Sequence, residues 1–272
     1  MFERYSDFGL PSLFDVMPTA MEENIVKTAA DIHKDALVSF LVKRPNYDRR
    51  RSLVGSGFLA TSTEPDYVHL YTAAHVIEDY QAAGYGWITI GTQMIELQDV
   101  GVREIGKTRD VALWRIPAKY LYLHGIDYIP TFPLYKSDAL TNLFIPTCSF
   151  MICGYPGSKN KSIDMREGGD RERMLFGLGL HGYEYDVETK ELCFHYMGKG
   201  QPESWADRQL GAPALGGMSG SPCARFVVHR EEKRLGIVVA GVFTRWKGQR
   251  ELRAEAFPMP WLSKPGRPLR EG

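Results

Sequence analysis

Gly216-Gly217-Met218-Ser219-Gly220-Ser221-Pro222 lies late in the chain, between a long polar segment and an apolar one. Glycines on both sides of Ser219 allow backbone angles that are closed to other residues, and they let a substrate approach the main chain. Such a turn also points N–H groups to the place where an oxyanion forms during attack on a carbonyl. We therefore predict that Ser219 is a nucleophile and that the N–H groups of Gly217 and Ser219 are oxyanion donors. A plain glycine-rich loop is the alternative interpretation.

Two further residues match what a serine nucleophile needs. A serine hydroxyl requires an adjacent base, and that base requires a third group that fixes its tautomer and orientation. His75 directly follows an apolar strand and two alanines, and Asp110 stands at the head of another strand. Taken singly, a core histidine and a turn aspartate are the ordinary interpretations. Together with Ser219 they favour catalysis, and the chain order His, Asp, Ser is that of the chymotrypsin-type double barrel.

Five short segments resemble motifs of one family. Thr72-Ala73-Ala74-His75, Asp110-Val111-Ala112-Leu113 and Gly217-Met218-Ser219-Gly220-Ser221-Pro222 resemble its Thr-Ala-Ala-His, Asp-Ile-Ala-Leu and Gly-Asp/Asn-Ser-Gly-Gly/Ser-Pro segments. Gly55-Ser56-Gly57-Phe58-Leu59 and Gly154-Tyr155-Pro156-Gly157 resemble the Gly-Thr-Gly-Phe and Gly-Tyr/Phe-Pro-Gly segments of HtrA-like members. From about Ala36 to Leu262 the chain thus resembles the trypsin-like (chymotrypsin-fold) serine peptidases, and within them the bacterial HtrA and glutamyl-endopeptidase branches.

The resemblance implies a serine endopeptidase that hydrolyses peptide bonds through a His75, Asp110, Ser219 triad and an acyl-enzyme intermediate. It implies an all-β fold of two antiparallel six-stranded β-barrels and a protein or peptide as substrate. The Ile-Val-Gly-Gly segment whose freed amino terminus activates the secreted enzymes is absent. We therefore expect no cleavage-activated zymogen, and activation by a regulatory partner or by homo-oligomerisation stays open.

The residues expected around the substrate pocket do not define a side-chain preference. Trypsin has an aspartate six residues before its nucleophile, and this chain has Pro213 at that position. Glutamyl endopeptidases have a histidine on the strand after the nucleophile, and Gly241-Val242-Phe243-Thr244 contains no histidine. The resemblance implies that Thr244 and Arg245 flank the bound peptide backbone. We expect an apolar or small-residue pocket, and Arg245 leaves an acidic preference open.

Short apolar runs separated by turn residues independently indicate an antiparallel β protein. They predict strands at Ala36–Val42, Leu53–Ala60, Tyr67–Thr72, Trp87–Ile90, Met94–Val102, Val111–Ile116, Thr147–Cys153, Leu175–Tyr183, Glu191–Met197, Cys223–Val228 and Leu235–Thr244, and Ala254–Leu262 resembles the last strand of the family. We divide the chain into an N-terminal helical extension (1–35), a first barrel with His75 and Asp110 (36–125) and a second barrel with Ser219 (126–265). The two barrels together form one peptidase domain.

The N-terminal extension carries a helix signal. Thr19 and Glu22, three residues apart, form a capping-box pattern, and apolar Ile25, Ala29 and Ile32 follow at helical spacing. We expect a helix that packs on the outside of a barrel. A partner-binding or inhibitory role is the alternative.

Composition and charge exclude several classes. The 33 basic and 33 acidic residues give a formal net charge of zero, which argues against a nucleic-acid or membrane-surface protein that works by bulk electrostatics. No stretch approaches the roughly 20 apolar residues that cross a bilayer. The first residues are acidic where a signal peptide would be basic. We therefore expect a cytoplasmic protein.

The four cysteines predict neither a disulfide scaffold nor a metal site. They are Cys148, Cys153, Cys193 and Cys223, and most have bulky or apolar neighbours. We expect buried, reduced thiols. No pair has Cys-x-x-Cys spacing, so we expect no metal, and the triad chemistry needs no cofactor.

Two other functions remain as alternatives. A catalytically silent trypsin-like module could bind peptides or partner proteins with the same fold. An α/β-hydrolase esterase is disfavoured, because it needs Gly-x-Ser-x-Gly with the serine first in the chain order, whereas Ser221 stands two residues after Ser219 and the serine comes last.

Overall fold

The computed structural model describes residues 19–43, 50–60, 62, 64–96, 100–106, 108–126, 131–134, 144–157, 160, 163–164, 175–181, 183–195, 215–229, 235–247 and 251–258. Its helices are α1 (Thr19–His33), α2 (Ala74–Ala82) and α3 (Ala118–Leu123), with a single 3-10 turn at Lys34–Ala36. Its strands are β1 (Leu37–Lys43), β2 (Arg50–Ala60), β3 (Tyr67–Thr72), β4 (Gly86–Ile90), β5 (Gln93–Ile95), β6 (Val102–Ile105), β7 (Ala112–Pro117), β8 (Phe144–Gly154), β9 (Ile163–Asp164), β10 (Phe176–His181), β11 (Glu184–Asp186), β12 (Glu191–His195), β13 (Pro222–His229), β14 (Leu235–Lys247) and β15 (Glu251–Ala256).

The strands form two antiparallel sheets. The first has the order β5-β4-β1-β2-β3-β7-β6, with β9 paired to β2, and the second has the order β10-β8-β13-β14-β15-β12-β11. The predicted all-β class with an N-terminal helix is therefore confirmed. The arrangement is consistent with a two-barrel chymotrypsin-like fold.

The number of strands differs from the predicted six per barrel, since each sheet path has seven in the described part of the chain. In the first sheet the predicted strand Met94–Val102 is not continuous: β5 ends at Ile95 and β6 begins at Val102, directly after Gly101, which adopts a φ of +78°. A Cβ at this glycine would overlap the Arg115 carbonyl, so the chain turns closely against β7. In the second sheet the run Leu175–Tyr183 is followed by the separate strand β11, which pairs with β12.

Buried apolar residues in the described part of the chain form three clusters. One is enclosed by the first sheet and one by the second. The third lies between the sheets: Phe58 of β2 and Phe132 meet Met151 of β8, Phe226 of β13 and Val239 of β14. Because burial of apolar surface drives association of such layers, this seam holds the two sheets together. The candidate site lies beside this seam, at the segments that follow β3 and precede β7 and β13.

Helix α1 packs against the second sheet, as predicted for the extension. Val26 and Ala30 are buried and lie over Gly177 of β10. The predicted apolar stripe was partly wrong, because Ile32 is 70% exposed and the buried positions are one residue further along. The capping-box side chains lie outside the described residues.

The described cysteines are free thiols, in agreement with the sequence prediction. Cys153 and Cys223 are buried and Cys193 is half-buried. Burial raises the pKa of the Cys153 thiol to about 12 and that of Cys193 to about 11, so both are protonated at neutral pH. The side chain of Cys148 lies outside the description.

In the part of the chain that the structure describes, no helix combines the length and the apolar character needed to cross a bilayer.

Candidate active site

His75 and Asp110 form the hydrogen-bonded pair predicted from the sequence. Strand β3 ends at Thr72, and His75 is the second residue of α2, where the sequence predicted only a strand end. Its Nδ1 lies 2.8 Å from Oδ2 of Asp110, and its backbone N–H donates to Oδ1 at 3.1 Å. Both carboxylate oxygens thus contact one residue. This arrangement fixes the ring orientation and favours the tautomer with Nδ1–H, which leaves Nε2 as the basic nitrogen.

The pKa of His75 is raised above its ordinary value. The hydrogen bond that the ring donates to Asp110 is the main cause of the raised pKa, burial opposes it, and the charges of Asp110, Asp79 and Glu78 add to it. A carboxylate beside the imidazole favours the charged form. The side chains of His75 and Asp110 are 41% and 33% exposed, so solvent and substrate can reach the pair.

The turn that carries Ser219 leaves two backbone N–H groups without an acceptor among the described residues. The carbonyl of Gly216 accepts from the Gly157 N–H, and the carbonyl of Met218 accepts from the Ser221 N–H at 2.9 Å. In a trans peptide the N–H points away from the carbonyl of the same unit. The N–H groups of Gly217 and Ser219 therefore point away from these contacts, and neither has an acceptor among the described residues. These are the two N–H groups that the sequence predicted as oxyanion donors, and that role stays a prediction.

Two glycines of this turn adopt backbone angles that other residues avoid. Gly217 has φ +88° and Gly220 has φ +90°. A Cβ on Gly217 would lie 2.7 Å from the Gly157 nitrogen, and one on Gly220 would overlap the Ser56 carbonyl oxygen. The glycines therefore provide both the left-handed conformation and the close approach of the turn to its neighbours.

Ser56 of β2 connects the turn that carries Ser219 to the first sheet, and this role was not predicted from the sequence. It is fully buried; its N–H donates to the Ser219 carbonyl and its Oγ to the Gly217 carbonyl, both at 2.8 Å. Its own carbonyl accepts from Oγ1 of Thr72 at 2.6 Å, three residues before His75. Thr72, which lies three residues before His75, is thus connected to the turn that carries Ser219 through a short chain of hydrogen bonds. A polar residue between Gly55 and Gly57 in an apolar strand was the available signal.

The hydroxyl of Ser219 donates to the Thr244 carbonyl at 3.1 Å. Within the described residues it makes no hydrogen bond to His75. The structure therefore brings Asp110 and His75 together directly, whereas Ser219 is held at the adjoining turn with its hydroxyl directed to β14.

The other predicted pocket residues lie as follows. Thr244 is buried, and its Oγ1 donates to the Arg253 carbonyl at 3.3 Å. The Arg245 side chain is 55% exposed, and its guanidinium donates to the buried Glu191 at 2.6 Å. Pro213 lies outside the described residues.

Comparisons with known proteins give a likeness of fold at low similarity. No family model matches the sequence, and no curated protein matches it. A solved structure described as "Aromatic interactions drive the coupled folding and binding of the intrinsically disordered Sesbania mosaic virus VPg protein" has a TM-score of 0.44 and 16% identity, covering 82% of this chain and 85% of that one. The tobacco vein mottling virus protease has a TM-score of 0.42 and 8% identity, covering 85% and 81%. A catalytically inactive tobacco etch virus protease complexed with substrate has a TM-score of 0.40 and 8% identity, covering 86% and 83%. At these scores and identities the likeness decides nothing about the chemistry of the site, which rests on the contacts described above.

Proposed function

We propose that this chain is a serine endopeptidase with His75, Asp110 and Ser219 as its catalytic triad. The observation that carries the proposal is the 2.8 Å contact between Nδ1 of His75 and the Asp110 carboxylate. It comes with a second contact, from the His75 backbone, that orients the same carboxylate. Ser219, with its two adjacent oxyanion donors, stands on a turn that Ser56 connects to the same sheet.

The proposed reaction is acyl transfer to water. Nε2 of His75 takes the Ser219 proton while Oγ attacks the peptide carbonyl carbon, and the imidazolium then protonates the departing amine. Water hydrolyses the acyl-enzyme with His75 again as base, and Asp110 stays ionised throughout. General base catalysis contributes roughly 10²- to 10⁴-fold, and an oxyanion donor of the Gly217 or Ser219 type roughly 10²- to 10³-fold.

Attack requires one side-chain movement. The Ser219 hydroxyl donates to the Thr244 carbonyl at 3.1 Å, so this hydrogen bond must break before the hydroxyl can donate to His75. A substrate backbone N–H that bonded to the Thr244 carbonyl would compete with the hydroxyl for this acceptor. Substrate binding would then favour the reactive rotamer.

The substrate is proposed to be a protein or peptide with an apolar or small side chain before the cleaved bond. Phe243, directly before Thr244, is buried in the core of the second sheet and contributes no polar group. The positive charge of Arg245 is opposed by Glu191, which weakens the case for an acidic preference.

Cleavage of a peptide library by the purified chain tests this proposal. Ser219→Ala should abolish product formation, and Ser221→Ala is its matched control. Ser221 lies two residues away, is fully buried, and its hydroxyl has no hydrogen-bond partner in the described structure. Activity that persisted in Ser219→Ala, or that vanished equally in Ser221→Ala, would contradict the proposal.

A catalytically silent peptide-binding module is the second candidate function. The contact that favours it is the bond from the Ser219 hydroxyl to the Thr244 carbonyl, which withholds the proton from His75. If this arrangement persisted with peptide bound, the chain would bind peptides and release no products. Binding measured by calorimetry in the absence of cleavage would support the module.

A further inference from the structure

A buried carboxylate of the second sheet holds the turn that presents Asp110. Glu255 lies on β15 and is 5% exposed. Its Oε1 accepts the backbone N–H of Asp110 at 3.2 Å, and its Oε2 accepts Nε of Arg109 at 2.8 Å. A second nitrogen of Arg109 donates to the Ala256 carbonyl. Arg109 and Asp110, which lie just before β7 of the first sheet with Val111 between them and the strand, are thus bound to the end of β15.

The contact from Glu255 is to the main chain of Asp110, whereas the contacts from His75 are to its side chain. The Asp110 side chain is held by the backbone and ring of His75, whereas its main chain is held by Glu255. Breaking a buried charged pair by removal of one partner is strongly unfavourable, because the remaining charge is left uncompensated. Glu255 and Arg109 therefore resist any displacement of the turn.

Glu191 shows that this cross-sheet contact is particular to Glu255. It is the register partner of Glu255 on β12, and it is similarly buried. It also uses both oxygens, to bind Arg245 and Arg253 at 2.6 Å each. In the described residues its partners belong to its own sheet, so it is matched to Glu255 in chemistry and burial but makes no contact with Asp110.

We propose that Glu255 is a positioning residue for the triad. Through the Asp110 N–H and Arg109 it fixes where the Asp110 carboxylate stands, and the carboxylate in turn orients the ring of His75. The consequence for turnover rests on the proposed peptidase function, but the effect on His75 does not.

The direct test is a titration of the His75 ring followed by NMR in the wild type, Glu255→Gln and Glu191→Gln. In each variant an amide with one acceptor replaces a carboxylate that serves two donors. Glu255→Gln should loosen the turn and lower the pKa of His75 toward its ordinary value, while Glu78 and Asp79 on α2 and the Asp110 carboxylate itself are all retained. Glu191→Gln should leave the titration as in the wild type.

The outcomes distinguish the inference from the peptidase proposal. A wild-type His75 titration in folded Glu255→Gln, or an equal shift in Glu191→Gln, would overturn the positioning role whatever the activity. If Glu255→Gln does not fold, Glu255→Asp is the second variant, because it keeps the charge on a shorter side chain. It should also lower the pKa of His75, and an unchanged pKa in Glu255→Asp would overturn the positioning role. If the chain is a peptidase, kcat should fall roughly 10- to 100-fold in Glu255→Gln with KM little changed. A shifted titration in a chain without any activity would overturn the peptidase proposal alone.

Discussion

The protonation of His75 sets the pH dependence of the proposed reaction. Asp110 raises the pKa of His75 above about 6.5, the ordinary histidine value. A base must be neutral to accept a proton, so kcat/KM should fall as the pH drops through this raised value. Asp110→Asn should lower kcat by roughly 10⁴-fold and move the remaining profile to lower pH. Peptide cleavage measured from pH 5 to 9 checks both effects, and a flat wild-type profile would contradict the role of His75.

Gly217 and Gly216 lie next to each other in the turn that carries Ser219, and substituting each by alanine gives a matched comparison. Gly217→Ala places a methyl group 2.7 Å from the Gly157 nitrogen at a φ of +88°, so it should displace the oxyanion donors and lower kcat by roughly 10²-fold or more. At Gly216 the φ is not left-handed and a Cβ would meet nothing within 4 Å. Gly216→Ala should therefore keep most of the activity. Equal losses in the two variants would show that the turn has another conformation.

At the scale of the element, the packing of helix α1 on β10 predicts how two substitutions change the free energy of unfolding. Val26 is 4% exposed and contacts Gly177, whereas the neighbouring Lys27 is exposed. Val26→Ala should lower the free energy of unfolding by about 2 kcal/mol, and Lys27→Ala by much less. Urea unfolding of both variants measures the difference. An unchanged midpoint in Val26→Ala would mean that α1 does not dock on β10 in solution.

The strands were largely predictable from the sequence, and the short helices were missed. The predicted bounds of β3 are exact, and those of β7, whose burial alternates along the strand, are shifted by one residue. Helix α2 carries its own signal, because Val76, Ile77 and Tyr80 recur at helical spacing and are buried. The division of Met94–Val102 into two strands was not predictable, since it depends on how the chain packs on β7.

At the scale of the whole molecule, the sequence predicted candidate reacting groups but not what holds them in place. His75, Asp110 and Ser219 could be proposed because the chemistry assigned to them is tied to short local patterns. The contacts of Ser56 with the nucleophile turn and of Glu255 with Asp110 join residues 161 and 145 positions apart. Such pairs follow from the tertiary arrangement of the two sheets; a polar Ser56 between two glycines hints that the residue has a role, but one sequence alone does not name its partner.

The central claim is that Ser219 is activated by His75 at the seam between the two sheets, and labelling by a fluorophosphonate probe tests it most directly. The probe reacts with an activated serine hydroxyl and needs no knowledge of the substrate. We expect mass spectrometry to place the adduct on Ser219, with labelling lost in Ser219→Ala, strongly reduced in His75→Ala and retained in Ser221→Ala. Absence of labelling in the folded wild type, or labelling of His75→Ala at the wild-type level, would contradict the account.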